Sequence, residues 1–383
     1  DAGRPPISFH AVVDVSGSMS GEKIQQTKQA LRIAARTLRE GDLVSMTLFS
    51  SQPQVVIKPT KVGSKTRQVI ESVIDEIQVG GMTALYGGLE LGIQQAAHAK
   101  GENILILLLS DGQANVGETD LEKVGFLAAE AIKSKIVVST LGVGDDYNEA
   151  LMTEIATQGR GRFYHVQTAD QIVAYLTGEL GEAADLAARD VRIQVKLPKG
   201  SALIPLSAAY KCTLSNGMAV VSIGDIPADL EVEIPLRLTL FSGKESARLG
   251  IEGSVAYQTP AGSQLETTLN QVTVRFVKQT AFKPDMGVIK PVAERVAHQM
   301  RAAQILQYSR AFTRGDPDEQ KRVEQERLKL RDYLNLVDTD LAKQMEDEMD
   351  ADLNAIRSAS PLSKKISSAA FRAQRFMRDP KDK

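Results

Sequence analysis

Apolar and polar residues change their period twice along this chain, and the changes divide it into three stretches. Over residues 7–184 short apolar runs alternate with segments of helical spacing. Residues 9–13 predict a buried strand and 22–39 an amphipathic helix. Leu43–Phe49 and 55–57 predict strands. Val69, Val73, Ile74 and Ile77 have helical spacing, as does Leu85–Ala97. Residues 104–109 are consecutively apolar, which predicts a strand buried on both faces. A helix over 121–132, a strand over Ile136–Val143, a helix over 148–156, a strand over 162–166 and a helix over 172–184 complete the stretch. This βαβ rhythm predicts a Rossmann-like, doubly wound, mainly parallel sheet with helices on both faces.

Over 185–282 the period falls to two. Val191, Ile193, Val195 and Leu197 alternate with polar residues, as do Val232, Ile234, Leu236, Leu238 and Leu240, and later Val272, Val274 and Phe276. Turn residues at 198–200 and 215–217 separate the runs, and together they predict an antiparallel β-sandwich, to which residues 1–6 are also expected to belong. Over 283–383 the period is helical again. Val292, Val296, Met300, Ala303 and Leu306 form one stripe. Leu330, Leu334, Val337, Leu341, Met345, Met349, Leu353 and Ile356 form a second. Gly315 ends the first helix and Asp316-Pro317-Asp318-Glu319 starts the next, so a C-terminal helical hairpin is expected. The tail after Pro361 carries seven Lys/Arg against Asp379 and Asp382. It reads as a solvated extension, with docking on an acidic surface such as 338–352 as the alternative.

The length of 383 residues suits two or three domains. A net charge of −2 gives no overall basic field for nucleic acid or an anionic membrane surface. Cys212 is the single cysteine, so no intrachain disulfide can form. This favours a reducing compartment, and a cytoplasmic location is expected. No apolar run approaches the ~20 residues of a membrane-spanning helix. Asp1 is not a Met, and a leader or anchor upstream of it would instead place the chain at a cell surface.

The candidate chemistry lies in three separated segments. Asp14, Ser16 and Ser18 form a D-x-S-x-S run where the first strand gives way to a helix. Thr83 lies in a Gly-Gly-Met-Thr loop, and Asp111 follows the six-residue apolar strand in Ser-Asp-Gly. Two carboxylates and three hydroxyls are hard oxygen donors that suit a small divalent cation. Taken singly, these residues also have ordinary uses. Ser16 or Thr83 can cap a helix, and Asp111 can open a loop. In a doubly wound sheet the segments converge if the first strand and the 104–109 strand are neighbours where the strand order reverses.

The order and context of the three motifs resemble the metal-ion-dependent adhesion site of von Willebrand factor A domains, bacterial multi-domain members included. The resemblance covers roughly the first 180 residues. It implies that Asp14, Ser16, Ser18, Thr83 and Asp111 ligate Mg²⁺ (or Mn²⁺ or Ca²⁺) and that a Glu or Asp carboxylate of a protein partner completes the shell. The order of A domain, sandwich and helices is also similar to the heavy chains of inter-alpha-trypsin inhibitor. The implied function is a non-enzymatic scaffold or adaptor, as in relatives that act beside MoxR-type AAA+ ATPases or stress-response systems. The alternative is a cell-surface adhesin. A Mg²⁺-dependent phosphoryl-transfer enzyme of the haloacid dehalogenase type fits less well, because Ser16 replaces the second acid of its D-x-D motif. His10, His98, His165 and His298 fall into no triad pattern with Ser16 or Ser18. Together the resemblance and the changes of period predict a domain over 7–184 carrying the site, a sandwich over 185–282 and a helical region over 283–383.

Overall fold

The computed structural model describes residues 6–99, 103–111, 114–145, 147–168, 171, 175, 186–228, 230–241, 243–283, 288–358 and 361–375. The chain divides into two compact units, Asp1–Asp185 and Leu186–Lys383. Of the helix expected over 172–184 only residue 175 is described, and the segment 1–5 lies outside the described residues.

The first unit is a six-stranded sheet in the order β3-β2-β1-β4-β5-β6. Its strands are β1 (Ile7–Asp14), β2 (Leu43–Phe49), β3 (Pro53–Lys61), β4 (Asn103–Ser110), β5 (Ile136–Val143) and β6 (Arg160–Val166). All pairings are parallel except β2 with β3. The central strands β1 and β4 are buried along their whole length, as strands covered on both faces must be. The helices are α1 (Glu22–Thr37), α2 (Ser64–Glu76), α3 (Leu85–Ala97), α4 (Leu121–Ala131) and α5 (Glu149–Gln158). α1 turns Ile24, Thr27, Ala30, Leu31, Ala34 and Ala35 inward, the three-and-four spacing of a buried helical face. α3 lies so close to the sheet that a Cβ at Gly92 would come within 2.3 Å of Val12, which explains a glycine in the middle of a helix.

Chain order reverses between β1 and β4. The chain passes from β1 to β2 on one side and later adds β4 on the other, where β1 and β4 pair from Ile7↔Asn103 to Val13↔Leu109. This places Asp14, the last residue of β1, beside the carboxyl end of β4, in the crevice where sheets of this kind hold their ligands.

The second unit begins with antiparallel strands: β7 (Leu186–Lys196), β8 (Ala202–Pro205), β9 (Lys211–Ser215), β10 (Met218–Pro227), β11 (Leu236–Thr239), β12 (Arg248–Gln258), β13 (Gln264–Thr268) and β14 (Val272–Arg275). One sheet runs β13-β12-β7-β10-β9, with β14 also on β12, and β8 pairs with β11 separately. Val195, Leu197, Leu203, Tyr210, Ala219, Val221 and Ile251 form its core.

The C-terminal part differs from the expected hairpin, because four helices follow among the described residues. They are α6 (Lys290–Arg314), α7 (Pro317–Val337), α8 (Thr339–Arg357) and α9 (Pro361–Arg375). Asp338 interrupts what reads as one long helix. Its carboxylate accepts from the backbone N–H groups of Asp340 and Leu341 and so caps α8. The buried face of α6 departs in part from the expected stripe, of which Met300 and Leu306 are half-buried against the helical cores. Val292 is 56% exposed, whereas Ala293, Ala297, Ala302, Ile305 and Tyr308 are buried. α6 packs against α7, α8 and α9, and small side chains let several helices approach. The start of the tail is α9 rather than a solvated extension. Ala370 and Phe371 are each 5% exposed, and Gln374 donates to the Gln299 carbonyl while Gln299 donates to the Gln374 carbonyl. Residues 376–383 lie outside the described residues.

Candidate metal centre

The end of β1 sets the first part of the site. Asp14 is fully buried, and its Oδ1 accepts from the Ser16 N–H at 2.8 Å, which bends the chain out of the strand. Its Oδ2 accepts from the Ser110 hydroxyl at 2.6 Å, so β4 braces the same carboxylate. Gly17–Met19 then form a short 3₁₀ turn, anchored by the fully buried Met19, before α1 starts at Glu22. The turn brings the Ser16 and Ser18 hydroxyls within 3.0 Å of each other.

The second carboxylate follows β4. Asp111 is fully buried, and its Oδ1 accepts from the Ser18 hydroxyl at 2.8 Å. Its Oδ2 lies 2.5 Å from the Lys23 ammonium of α1. The third loop is laced to the other two. Gly80 donates to the Val15 carbonyl and Gly17 to the Gly81 carbonyl. The Thr83 N–H donates to Asn115 Oδ1 at 2.9 Å, and the Asn115 and Val116 N–H groups both donate to the Thr83 carbonyl. Thr83, 3% exposed, is therefore tied to the loop that follows Asp111.

The ordinary uses of these residues are largely not taken. Ser16 stands at the N-cap of the 3₁₀ turn without a side-chain capping bond, and Ala84, not Thr83, is the N-cap of α3. Asp14, Ser16, Ser18 and Asp111 form one hydrogen-bonded group, and Thr83 reaches it through the backbone of its loop. Burial pushes the Asp14 carboxyl above its usual range. The negative charge of Asp111 pushes it the same way, against the lowering effect of the bonds from Ser110 and Ser16. Two buried carboxylates with one lysine beside them leave a net negative pocket lined by hydroxyls, a donor set that fits a hard divalent ion. Among the described residues no group of three or more His, Cys, Asp or Glu is placed to hold a metal, so any ion here depends on hydroxyl oxygens.

Three participants escaped the sequence reading. Ser110, the first residue of the Ser-Asp-Gly motif, and Asn115, beyond it, brace the site, and neither has a signal of its own for that role. Lys23 had one, as a cation in the first turn of a helix, where the backbone dipole disfavours positive charge. The histidines stand apart. His10 is buried between the Ser8 and Ser45 hydroxyls, 2.9 and 2.6 Å away. The His98 ring lies 2.6 Å from the Gln94 carbonyl of its own helix, and His165 Nδ1 lies 2.8 Å from the Tyr147 hydroxyl. His298 belongs to the second unit.

Comparison with known proteins bears on the fold of the first unit. Residues 10–178 match the von Willebrand factor type A domain. The chain is 32% identical over 196 residues to the uncharacterized protein YfbK of Escherichia coli (strain K12), covering 50% of this chain and 34% of that one. It is 31% identical over 180 residues to human inter-alpha-trypsin inhibitor heavy chain H3, covering 43% of this chain and 20% of that one. The chain thus spans about a third or less of the length of these two relatives. Its fold is similar to that of a von Willebrand factor type A protein from Catenulispora acidiphila, with a TM-score of 0.68 at 16% identity over 98% of this chain and 90% of that one. Over residues 10–178 this chain is accordingly similar to von Willebrand factor type A domains.

Proposed function

We propose that Asp14, Ser16, Ser18, Thr83 and Asp111 hold one divalent cation of the Mg²⁺ type, with Mn²⁺ and Ca²⁺ as substitutes, and that the chain is a non-enzymatic, metal-dependent protein-interaction module. The observation that carries this reading is the pair of fully buried carboxylates, Asp14 and Asp111, joined to the Ser18 and Ser16 hydroxyls at the switch point of the sheet. A bound cation would supply an electrophilic centre able to take one more oxygen ligand. Only two carboxylates offset its charge, so a Glu or Asp of a protein partner suits the remaining position. The chain's own part is to orient. Ser110 and the Ser16 N–H fix the Asp14 carboxylate, and Asn115 fixes the Thr83 loop.

The partner class the family resemblance suggests is a MoxR-type AAA+ ATPase or a stress-response system, and the single cysteine favours the cytoplasm as the place of work. Calorimetric titration with Mn²⁺ tests the site. One ion per chain is expected, weakly held, with binding abolished in Asp14→Ala together with Asp111→Ala. Unchanged binding in that double variant would refute the assignment. A pull-down with and without EDTA tests the function, and capture of partners that is indifferent to EDTA would refute metal-dependent interaction. A signal peptide on the full-length protein would favour the adhesin alternative.

A further inference from the structure

We propose that Lys23 is a built-in counter-cation that competes with the divalent ion for Asp111, so that the ion must displace the ammonium to enter. This rests on the metal-site reading above. The Lys23 Nζ lies 2.5 Å from Asp111 Oδ2, and the other oxygen of that carboxylate is taken by the Ser18 hydroxyl. Both oxygens of a fully buried candidate ligand are therefore engaged by donors from this chain. The lysine side chain retains 25% of its exposure, which leaves a route outward for its head.

Its position is built rather than incidental. Lys23 is the second residue of α1, at the end of the helix dipole that repels cations, so the helix itself gives no reason for a lysine there. Its stem runs along Gly144, just after β5. A Cβ on Gly144 would lie 2.9 Å from the Lys23 Cε, and the backbone there has φ +77°, a conformation suited to glycine. Gly144 thus leaves the space through which the lysine reaches Asp111.

The charges give the consequence. Asp14, Asp111 and Lys23 together carry −1. A divalent ion entering while Lys23 stayed would change this to +1 and set two cations against each other across one carboxylate, so the ammonium moves outward from Asp111. A partner carboxylate brings the sum to zero. Lys23 therefore weakens binding of the bare ion and makes it depend on the acidic ligand that follows. A unit charge within ~4–6 Å shifts an ionic equilibrium by about tenfold or more.

The test is Mn²⁺ titration of the full chain as wild type, Lys23→Met and Lys23→Arg, with melting in EDTA and in saturating Mg²⁺. Methionine keeps the packing against Gly144 without the charge, and Lys23→Gln serves if that variant does not fold. Lys23→Met is expected to bind Mn²⁺ about tenfold more tightly, to melt below wild type in EDTA, and to recover when Mg²⁺ is saturating. Lys23→Arg is expected to stay as weak as wild type. If wild type binds Mn²⁺ and Lys23→Met binds no more tightly, the competition is refuted and the metal site stands. Equal tightening in Lys23→Arg would also refute it, since charge would not be the cause. If none of the three proteins binds Mn²⁺, the metal-site reading itself fails and this inference falls with it.

Discussion

Acidification is expected to loosen the first unit through His10, well before most carboxylates titrate. The imidazole is completely buried in β1, and this burial pulls its pKa from 6.5 down to about 4. The unfolded chain binds the proton below 6.5 and the folded chain does not until about 4. The stability is therefore fully present above pH 6.5 and is lost as pH falls from 6.5 to 4. At pH 5 the two protonation equilibria differ by about 2 kcal/mol, rising to about 3.4 kcal/mol below pH 4. His10 lies in the strand that ends at Asp14 and contacts Ser45 of β2, so the loss falls on the sheet beneath the site. NMR titration of the imidazole carbons in the full chain, assigned by His10→Gln, should show one resonance flat between pH 5 and 8. Amide exchange of β1 and β4 at pH 7.5 and pH 5 should then show about 2 kcal/mol more loss in wild type than in His10→Gln. A His10 resonance titrating near 6.5, or equal acid sensitivity in both proteins, would refute the reasoning.

Two other expectations concern the loop and the last helix. If the Thr83 loop reports the state of the site, Thr83→Ala should weaken capture of a partner more than it weakens Mn²⁺ binding, and equal losses would make Thr83 a simple ligand. Removal of 361–383 should lower the melting temperature of the second unit by several degrees, since it strips away Phe371, whose burial alone is worth about 1.5–3 kcal/mol, and leaves the buried amide of Gln299 without Gln374. Unchanged melting would mean that α9 adds no stability.

Local pattern determined a good deal of this protein. The six-residue apolar run of β4 and the periodicity of α1 and α3 could be read directly, because burial on two faces or on one helical face imposes a repeat on neighbouring residues. The short polar run Asp14, Ser16 and Ser18 could be noticed locally, because a turn leaving a strand needs short polar side chains, but only its resemblance, together with the Thr83 and Asp111 segments, to a known motif marked it as a candidate site. Other features depended on long-range contacts that no local repeat encodes. Pairing of β1 with β4 is what sets Asp111 in the same crevice as Asp14. Lys23 is out of place for charge in the first turn of α1, but only the docking of α1 shows that its ammonium meets Asp111. α9 reads as a solvated basic tail, since Ser363, Ser367 and Ser368 are polar by composition, yet they pack with Ala370 and Phe371 on its buried side. Small and polar residues carry little hydrophobic signal of their own, so only the helices around them decide whether they face water or the core.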